Sequence, residues 1–401
     1  MKGMRVFPPH EHEKLTQVLN GWVDAATTYG FQQYKTSVLE STDIYTDKTS
    51  EEIMREQTYR FTDRGGRDVL LRPEITPGVS TMVVDLQKKR GFKTPFKVFS
   101  IGSVFRYENT QKGRSREHIQ FNVDLFGNDT AWADAEVIAL AFTALEKIGF
   151  KKDDFIVRMN DRAILEGTLT ELGATKNTLR DIMRLLDGRE KINQKEFDEQ
   201  LSTYGITTVA LDDALRETPE RVRTVIELLP DTISTEYNPK IIRGFDYYTG
   251  IVFEIYAKEQ KIAPRSVAGG GRYNTLIESY GGEPLPAIGF GMGDVVLLDC
   301  LEAYNLETPA AGPVAVLYTT DEQSTVKGIG AATALRQHMP TSFIGVIPQK
   351  KTTDTYKYYE QLKAQYVIGL HDSSFVVRVL AERKTETFTT IEEVVAHITN
   401  Q

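Results

Sequence analysis

A single cysteine, Cys300, excludes an intramolecular disulfide, and with six scattered histidines it gives no basis for a zinc centre. One thiol in an apolar stretch fits a reducing cytoplasm. Runs of about 18 apolar residues are missing, so no membrane-spanning helix is expected. The first residues, MKGMRVFPPHEHEKL, lack the apolar core of a secretory leader. Excess positive charge is missing too. A net charge of −8 argues against unspecific coating of nucleic acid, yet leaves room for local basic patches. Two such patches exist, KKRGFK at 88–93 and QKGRSR at 111–116; each also fits a solvated surface. No internal repeat or low-complexity segment is visible.

What is present fills two or three domains, since the chain has 401 residues and domains run at roughly 100–200. Leu15, Val18, Leu19, Trp22, Ala26 and Tyr29 recur at helical spacing, with Gly30 placed as a cap. FQQYKTSVLE (31–40) then reads as a strand. YRFTDRGGRDVLLRPE (59–74) reads as two strands around an Arg-Gly-Gly-Arg turn. The segment 97–127 reads as two long strands joined by a basic loop. In the second, Ile119, Phe121, Val123 and Leu125 alternate with Gln120, Asn122 and Asp124, so Gln120 and Asp124 share one face. Residues 160–239 have the texture of a mostly helical insertion, marked by Val222, Val225, Ile226 and Leu229. Strand patterns return over 241–257 and resume after 266–282. Tyr304–Pro313 reads as a linker. Beyond it come strand VAVLY, a helix over 321–338, strand FIGVI, helix TTDTYKYYEQLKA and strand YVIGL. This alternation predicts a small α/β domain with a largely parallel sheet.

Several segments carry groups suited to chemistry. In LRPEITP, Arg72 precedes Glu74 and Thr76, which point the same way if extended; a carboxylate beside a hydroxyl suits an ammonium group. In FRYENTQKGRSREHIQFNVD, Arg106 and Glu108 share a strand face, and Lys112, Arg114 and Arg116 crowd the turn. Such a cation cluster suits phosphate. In RGFDYYTGIVFE, Arg243 precedes an Asp and two tyrosines, which suits a polar aromatic substrate. In SVAGGGRYNTL, Gly269, Gly270 and Gly271 carry no Cβ, so a group approaches the backbone closely or the chain turns sharply. The spacings of dinucleotide and P-loop fingerprints are absent. Taken singly, these segments also fit an exposed strand, a solvated hairpin tip, an aromatic core strand and a tight turn. AIGFGMGDVVLLD (287–299) has glycine at 289, 291 and 293 but no Lys or Arg: a loop open to phosphate without the charge to hold one.

Together and in this order, TSEEIMREQTYRFTDRGGRDVLLRPEIT, FRYENTQKGRSREHIQFNVDLFG, RGFDYYTGIVFE and AGGGRYNTL resemble the histidyl-tRNA synthetase family of class II aminoacyl-tRNA synthetases. The likeness covers nearly the whole chain. It implies an α+β catalytic domain over 1–308, an antiparallel sheet flanked by helices, with the helical insertion at about 160–239. It also implies an α/β anticodon-binding-like domain over 313–401. The family forms histidyl-adenylate from L-histidine and ATP, transfers the histidyl group to tRNA-His, works as a homodimer, and fits a cytoplasmic location.

By the same resemblance, Glu74, Thr76 and Gln120 hold the substrate ammonium. Asp124 and Tyr248 bind the imidazole edges, and Tyr273 lines that pocket; a carboxylate and a hydroxyl match a ring with one donor and one acceptor. Arg106 contacts the α-phosphate, and Arg114 and Arg116 the outer phosphates or the tRNA end. Glu108 reads the adenine amino group, His118 stacks on the ring, and Arg243 is the signature catalytic arginine beside Arg106. Mg²⁺ bridges the ATP phosphates, with no protein ligand assigned. AIGFGMGDVVLLD becomes a strand-to-helix junction, where Gly291 and Gly293 let adenine lie close to the backbone.

Three positions depart from the family pattern: Ser37 replaces a proline in the first motif, His118 the usual phenylalanine, and Val296 the arginine of the third motif. Two functions therefore compete. One is an active ligase. The other is a non-catalytic paralogue, a histidine-sensing regulatory subunit of ATP phosphoribosyltransferase. Arg243 and the C-terminal domain favour the first; His118 and Val296 favour the second. An unrelated binding protein with chance matches is a third reading.

Overall fold

The computed structural model describes residues 2–46, 53–89, 92–109, 113–189, 192–243, 247–258, 265–306, 314–319, 322–339, 344–348, 358–360, 363–371 and 374–399. They form two compact units, Met1–Thr308 and Pro309–Gln401.

In the first unit, helix α1 (Pro9–Thr28) opens with proline in its first turn and is followed by Gly30 at φ 75°. Its buried stripe is Leu15, Val18, Trp22, Ala25 and Ala26. The strand expected over 31–40 is broken. Only β1 (Gln32–Gln33) and β2 (Leu39–Ser41) join ladders, because the chain between them is held by the buried Arg72. That guanidinium donates from Nη1 to Thr36 Oγ1 at 3.0 Å and to the Ser37 carbonyl at 3.4 Å. Strands β3 (Tyr59–Thr62) and β4 (Asp68–Leu71) flank the expected turn, where Asp63 accepts from the Gly65 and Arg67 amides at 2.8 and 2.9 Å. With β2 they make a three-stranded sheet, order β2-β4-β3. Glu74 and Thr76 do not share a strand: β4 ends at Leu71, and α2 (Thr76–Gln87) starts at Thr76, with Pro77 preset for a first helical turn.

The centre of this unit is an eight-stranded sheet. Strands β5 (Phe96–Phe105) and β6 (Glu117–Phe126) pair antiparallel over their full length, as their alternation predicts. Helix α3 (Ala131–Ile148), capped by Thr130 and ended by Gly149 at φ 119°, leads to β7 (Phe155–Asp161). The insertion follows as α4 (Arg162–Glu171), α5 (Lys176–Asp187), α6 (Gln194–Ser202), α7 (Thr208–Ala214) and α8 (Glu220–Leu228). Its first four helices carry a small core of their own, including Leu165, Ile182, Phe197 and Leu211. Helix α8 differs: Val222 and Val225 join the main core, so the independent part of the insertion ends before it.

The chain returns through β8 (Ser234–Tyr237), β9 (Ile251–Ala257), β10 (Ser266–Arg272), the short α9 (Leu276–Ser279), β11 (Ala287–Gly293) and α10 (Asp294–Ala303). Strand order is β1-β5-β6-β11-β10-β9-β7-β8, parallel only at the two edge pairs. Of residues 241–250, expected to be extended, the described ones (241–243 and 247–250) precede β9 without strand structure. One face of the sheet buries Phe121, Val123, Leu125, Phe253, Ile288, Phe290 and Met292 against α1, α3, α8 and α10. The opposite face is left for the polar partners of that alternation.

In the second unit, β12 (Ala315–Thr319), α11 (Glu322–His338), β13 (Ile344–Pro348) and β14 (Tyr366–His371) follow the expected rhythm, and β12, β13 and β14 are parallel. The sheet then continues with antiparallel β15 (Ser374–Val379) and β16 (Lys384–Phe388), and α12 (Ile391–Thr399) ends the chain. Sheet order is β13-β12-β14-β15-β16. The expected helix at 352–364 falls mostly outside the described residues, as does the linker over 307–313. Among the described residues no helix is long and apolar enough to cross a membrane.

Candidate active site

Strands β6, β11 and β10 are neighbours, and their register builds the site. Gly289 opposes Asp124, Gly291 opposes Asn122, and Gly293 opposes Gln120. On the other side Gly289 opposes Gly271 and Gly291 opposes Gly269. The alternate glycines are therefore strand, not loop, and the triple glycine is the middle of β10, not a turn. Their missing side chains leave a floor on which other groups lie: a Cβ on Gly289 would sit 2.6 Å from Asp124 Oδ1, and one on Gly291 would collide with Gln120 Nε2. Above the floor is a cavity of about 400 Å³.

The cavity brings together Glu74, Thr76, Arg106, Glu108, Arg114, His118, Gln120, Asp124, Arg243, Tyr248, Tyr273, Gly291 and Gly293. Of the residues assigned from the resemblance, Arg116 alone is not in its lining. Its guanidinium lies 3.9 Å from the centroid of the Tyr107 ring, and its Nε donates to the Glu108 carbonyl at 3.2 Å. Lys112 lies outside the described residues.

One end is built around a buried carboxylate. Asp124 accepts from the Tyr273 hydroxyl, from Asn122 Nδ2 at 2.9 Å and from the Tyr34 hydroxyl at 3.4 Å. Burial still outweighs these bonds and pushes its carboxyl up to about 6. Glu74, also buried, accepts from the Tyr247 hydroxyl at 3.1 Å. Behind it Glu40 is raised to about 7, first by burial and further by the Glu74 charge, against the pull of Tyr45 and Arg72.

The other end is cationic. Arg106 donates from Nε to the Pro73 carbonyl at 2.9 Å, so the loop that carries Glu74 also aims this arginine. Arg114 Nε lies 3.0 Å from Glu108 Oε2. His118 is depressed to about 3, by burial and then by the charges of Arg106 and Arg5, which keeps a neutral ring at pH 7. Arg243 has a left-handed backbone, φ 67°, an uncommon state for a residue with a side chain. Its Nη1 donates to Glu254 Oε1 at 2.8 Å. Burial alone would lower its pKa; Tyr248 and Glu254 more than offset that and hold the guanidinium charged.

The two tyrosines assigned to the imidazole differ in their bonds. Tyr273 is the partner of Asp124, whereas the Tyr248 hydroxyl is tied to Arg243. Tyr247, Asn122, Gln57 and Asp187 also line the cavity and were not assigned from sequence. Asn122 was accessible from the β6 alternation, lying between Gln120 and Asp124 on the same face. Asp187 was not: it ends α5, within the insertion, and nothing local marks it.

The acceptors and hydroxyls suit an ammonium and ring N–H groups, while the guanidiniums of Arg106, Arg114 and Arg243 suit phosphate. Comparison with known proteins agrees in kind. Residues 3–294 match the family model described as histidyl-tRNA synthetase. A histidine–tRNA ligase of Leptospira biflexa is 34% identical over 372 residues, covering 87% of this chain and 84% of the relative. One of Natronomonas pharaonis is 38% identical over 320 residues, covering 74% and 73%. The crystal structure of a histidyl-tRNA synthetase from Nostoc sp. PCC 7120 superposes with a TM-score of 0.78 at 18% identity, covering 99% of this chain and 97% of that one; at that identity it shows the shared fold.

Proposed function

The chain belongs to the histidyl-tRNA synthetase family, and from that premise we infer that it is a histidine–tRNA ligase. A carboxylate oxygen of L-histidine attacks the α-phosphorus of ATP. The new P–O bond gives histidyl-adenylate as the bond to the β-phosphate breaks and pyrophosphate leaves. The histidyl group then passes to the 3′-terminal adenosine of the histidine tRNA. One observation carries the reading: Asp124, bonded by Tyr273, lines the same cavity as Arg106, Arg114 and Arg243.

Glu74, Thr76 and Gln120 hold the ammonium, and Asp124, Tyr273 and Tyr248 surround the imidazole. Apolar analogues are rejected because these buried groups would lose their partners. Arg243 and Arg106 flank the α-phosphate and stabilise charge that grows in the transition state; one preorganised donor of this kind is worth about 3–4 kcal/mol. Glu108 and neutral His118 take the adenine over Gly291 and Gly293, and Arg114 takes the outer phosphates. Arg116, outside the cavity lining, serves the tRNA end.

Mg²⁺ neutralises the triphosphate charge when bound. Among the described residues no group of three acids or histidines could cage a metal. Glu108 and Asp187 are the cavity carboxylates not assigned to histidine, and they would face an ion brought in by ATP. Homodimerisation is supported by the small sheet, where exposed Leu39 and Phe61 share a face. The lone buried Cys300 suits the cytoplasm. The regulatory-subunit alternative is not favoured: relatives matched over most of the chain bear the ligase name, and Arg243 would have no task in a sensor.

Histidine-dependent ATP–pyrophosphate exchange tests the reading. Purified wild type exchanges and Arg243→Ala loses most of the rate; no exchange by wild type would overturn it.

A further inference from the structure

Val296 leaves the first turn of α10 without the cation of the family's third motif, and the structure puts another arginine beside it. The start of β6, the start of β10 and the β11–α10 junction meet at one end of the central strands, where Gln120 opposes Gly293 and Ala268 opposes Met292. At that end a Cβ on Gly113 would lie 3.1 Å from Cδ of Arg265, 3.7 Å from its Nε and 3.6 Å from Cγ2 of Val296. The Arg265 side chain and the Val296 methyl thus both lie against Gly113 after the hairpin tip. Arg265 itself is outside the cavity lining, at its rim: its neighbour Ser266 and its electrostatic partners Arg114 and Glu108 line the cavity.

Arg265 senses both Arg114 and Glu108: burial lowers its pKa, Arg114 lowers it further, and Glu108 raises it. Glu108 is already within 3.0 Å of Arg114. Two guanidiniums therefore share one carboxylate, an arrangement that an incoming polyanion relieves.

We propose that Arg265 binds the outer phosphates of ATP together with Arg114, supplying from the β9–β10 connection the cation that α10 lacks at Val296. The proposal rests on the ligase reading and names a further substrate contact within it. A guanidinium fork there meets phosphate oxygens two at a time, which an ammonium cannot do. The contact needs no movement of α10, because Arg265 approaches from the neighbouring strand.

The test is steady-state kinetics of the full chain in both directions of adenylate formation, for wild type, Arg265→Ala and Arg265→Lys. Arg265→Ala is expected to raise KM for ATP and for pyrophosphate by about tenfold, the loss of one charge-assisted contact. KM for histidine stays as in wild type, and Arg265→Lys falls between the two. Unchanged KM for ATP overturns the proposal. So does a rise for ATP alone, which would put Arg265 on the base. Failure of wild type to exchange at all would instead remove the ligase reading, so the two failures are separable.

Discussion

The Nη1 atom of Arg243 occupies the space that a Cβ on Gly269 would fill. The glycine in β10 is thus a bed for the arginine proposed as catalytic, and Glu254 at 2.8 Å fixes it from β9. Gly269→Ala should leave the fold intact, since the collision is with the end of a flexible side chain. It should lower the exchange rate by about 10²-fold, towards that of Arg243→Ala. A Gly269→Ala enzyme with wild-type kcat would show that Arg243 does not depend on this bed.

Tyr273 donates to a carboxylate that is fully enclosed. Tyr273→Phe removes one bond to a charged group, worth about 1.5–3 kcal/mol. KM for histidine should rise at least tenfold, with roughly tenfold per 1.4 kcal/mol, while KM for ATP holds. Equal rises for both substrates would argue for general damage to the cavity.

Glu40 gives the pH dependence a definite sign. Its carboxyl is raised to about 7 in the folded protein, above the value of an unfolded glutamate, so the native state binds the proton more tightly. Its contribution is complete at pH below about 4.3 and is lost as pH rises through 7. The loss is on the order of 3–4 kcal/mol by linkage. Wild type should therefore melt lower at pH 8.5 than at pH 6 by a larger margin than Glu40→Gln. Parallel melting of the two proteins over that range would exclude Glu40 as the titrating group.

Arg272 is buried with Asp134, at 2.7 Å, while Arg221 of α8 reaches the other oxygen of the same carboxylate at 2.7 Å. This charge cluster joins β10, α3 and α8. Arg272→Met strands part of a buried carboxylate and should cost about 3–5 kcal/mol, read as a lower urea midpoint with an unchanged slope. A midpoint like that of wild type would mean that Arg221 alone satisfies Asp134.

Much of the site was legible in the chain because strand chemistry has a period of two. Gln120, Asn122 and Asp124 could be put on one face of β6 from alternation alone, and the glycines at 289, 291 and 293 follow the same period on β11. Where that period does not apply, sequence reasoning went astray. Residues 31–40 are broken by a contact to Arg72, distant along the chain. Glu74 and Thr76, two apart, fit one strand face by that period, yet helix α2 starts at Thr76. The register of β10 slips between Ser266 and Ala268, so no alternation argument could have aimed Arg265.

The sequence by itself determined the family, the division into two units and the inventory of charged groups, because motif order and periodicity are local properties. Only the tertiary structure decided which groups share the cavity: that Tyr273, not Tyr248, bonds Asp124, that Asp187 of the insertion lines the site, that Arg116 stacks on Tyr107, and that Arg265 stands beside Val296. Those relations depend on strand register and on side chains crossing between elements, and neither is written in the spacing of residues along the chain.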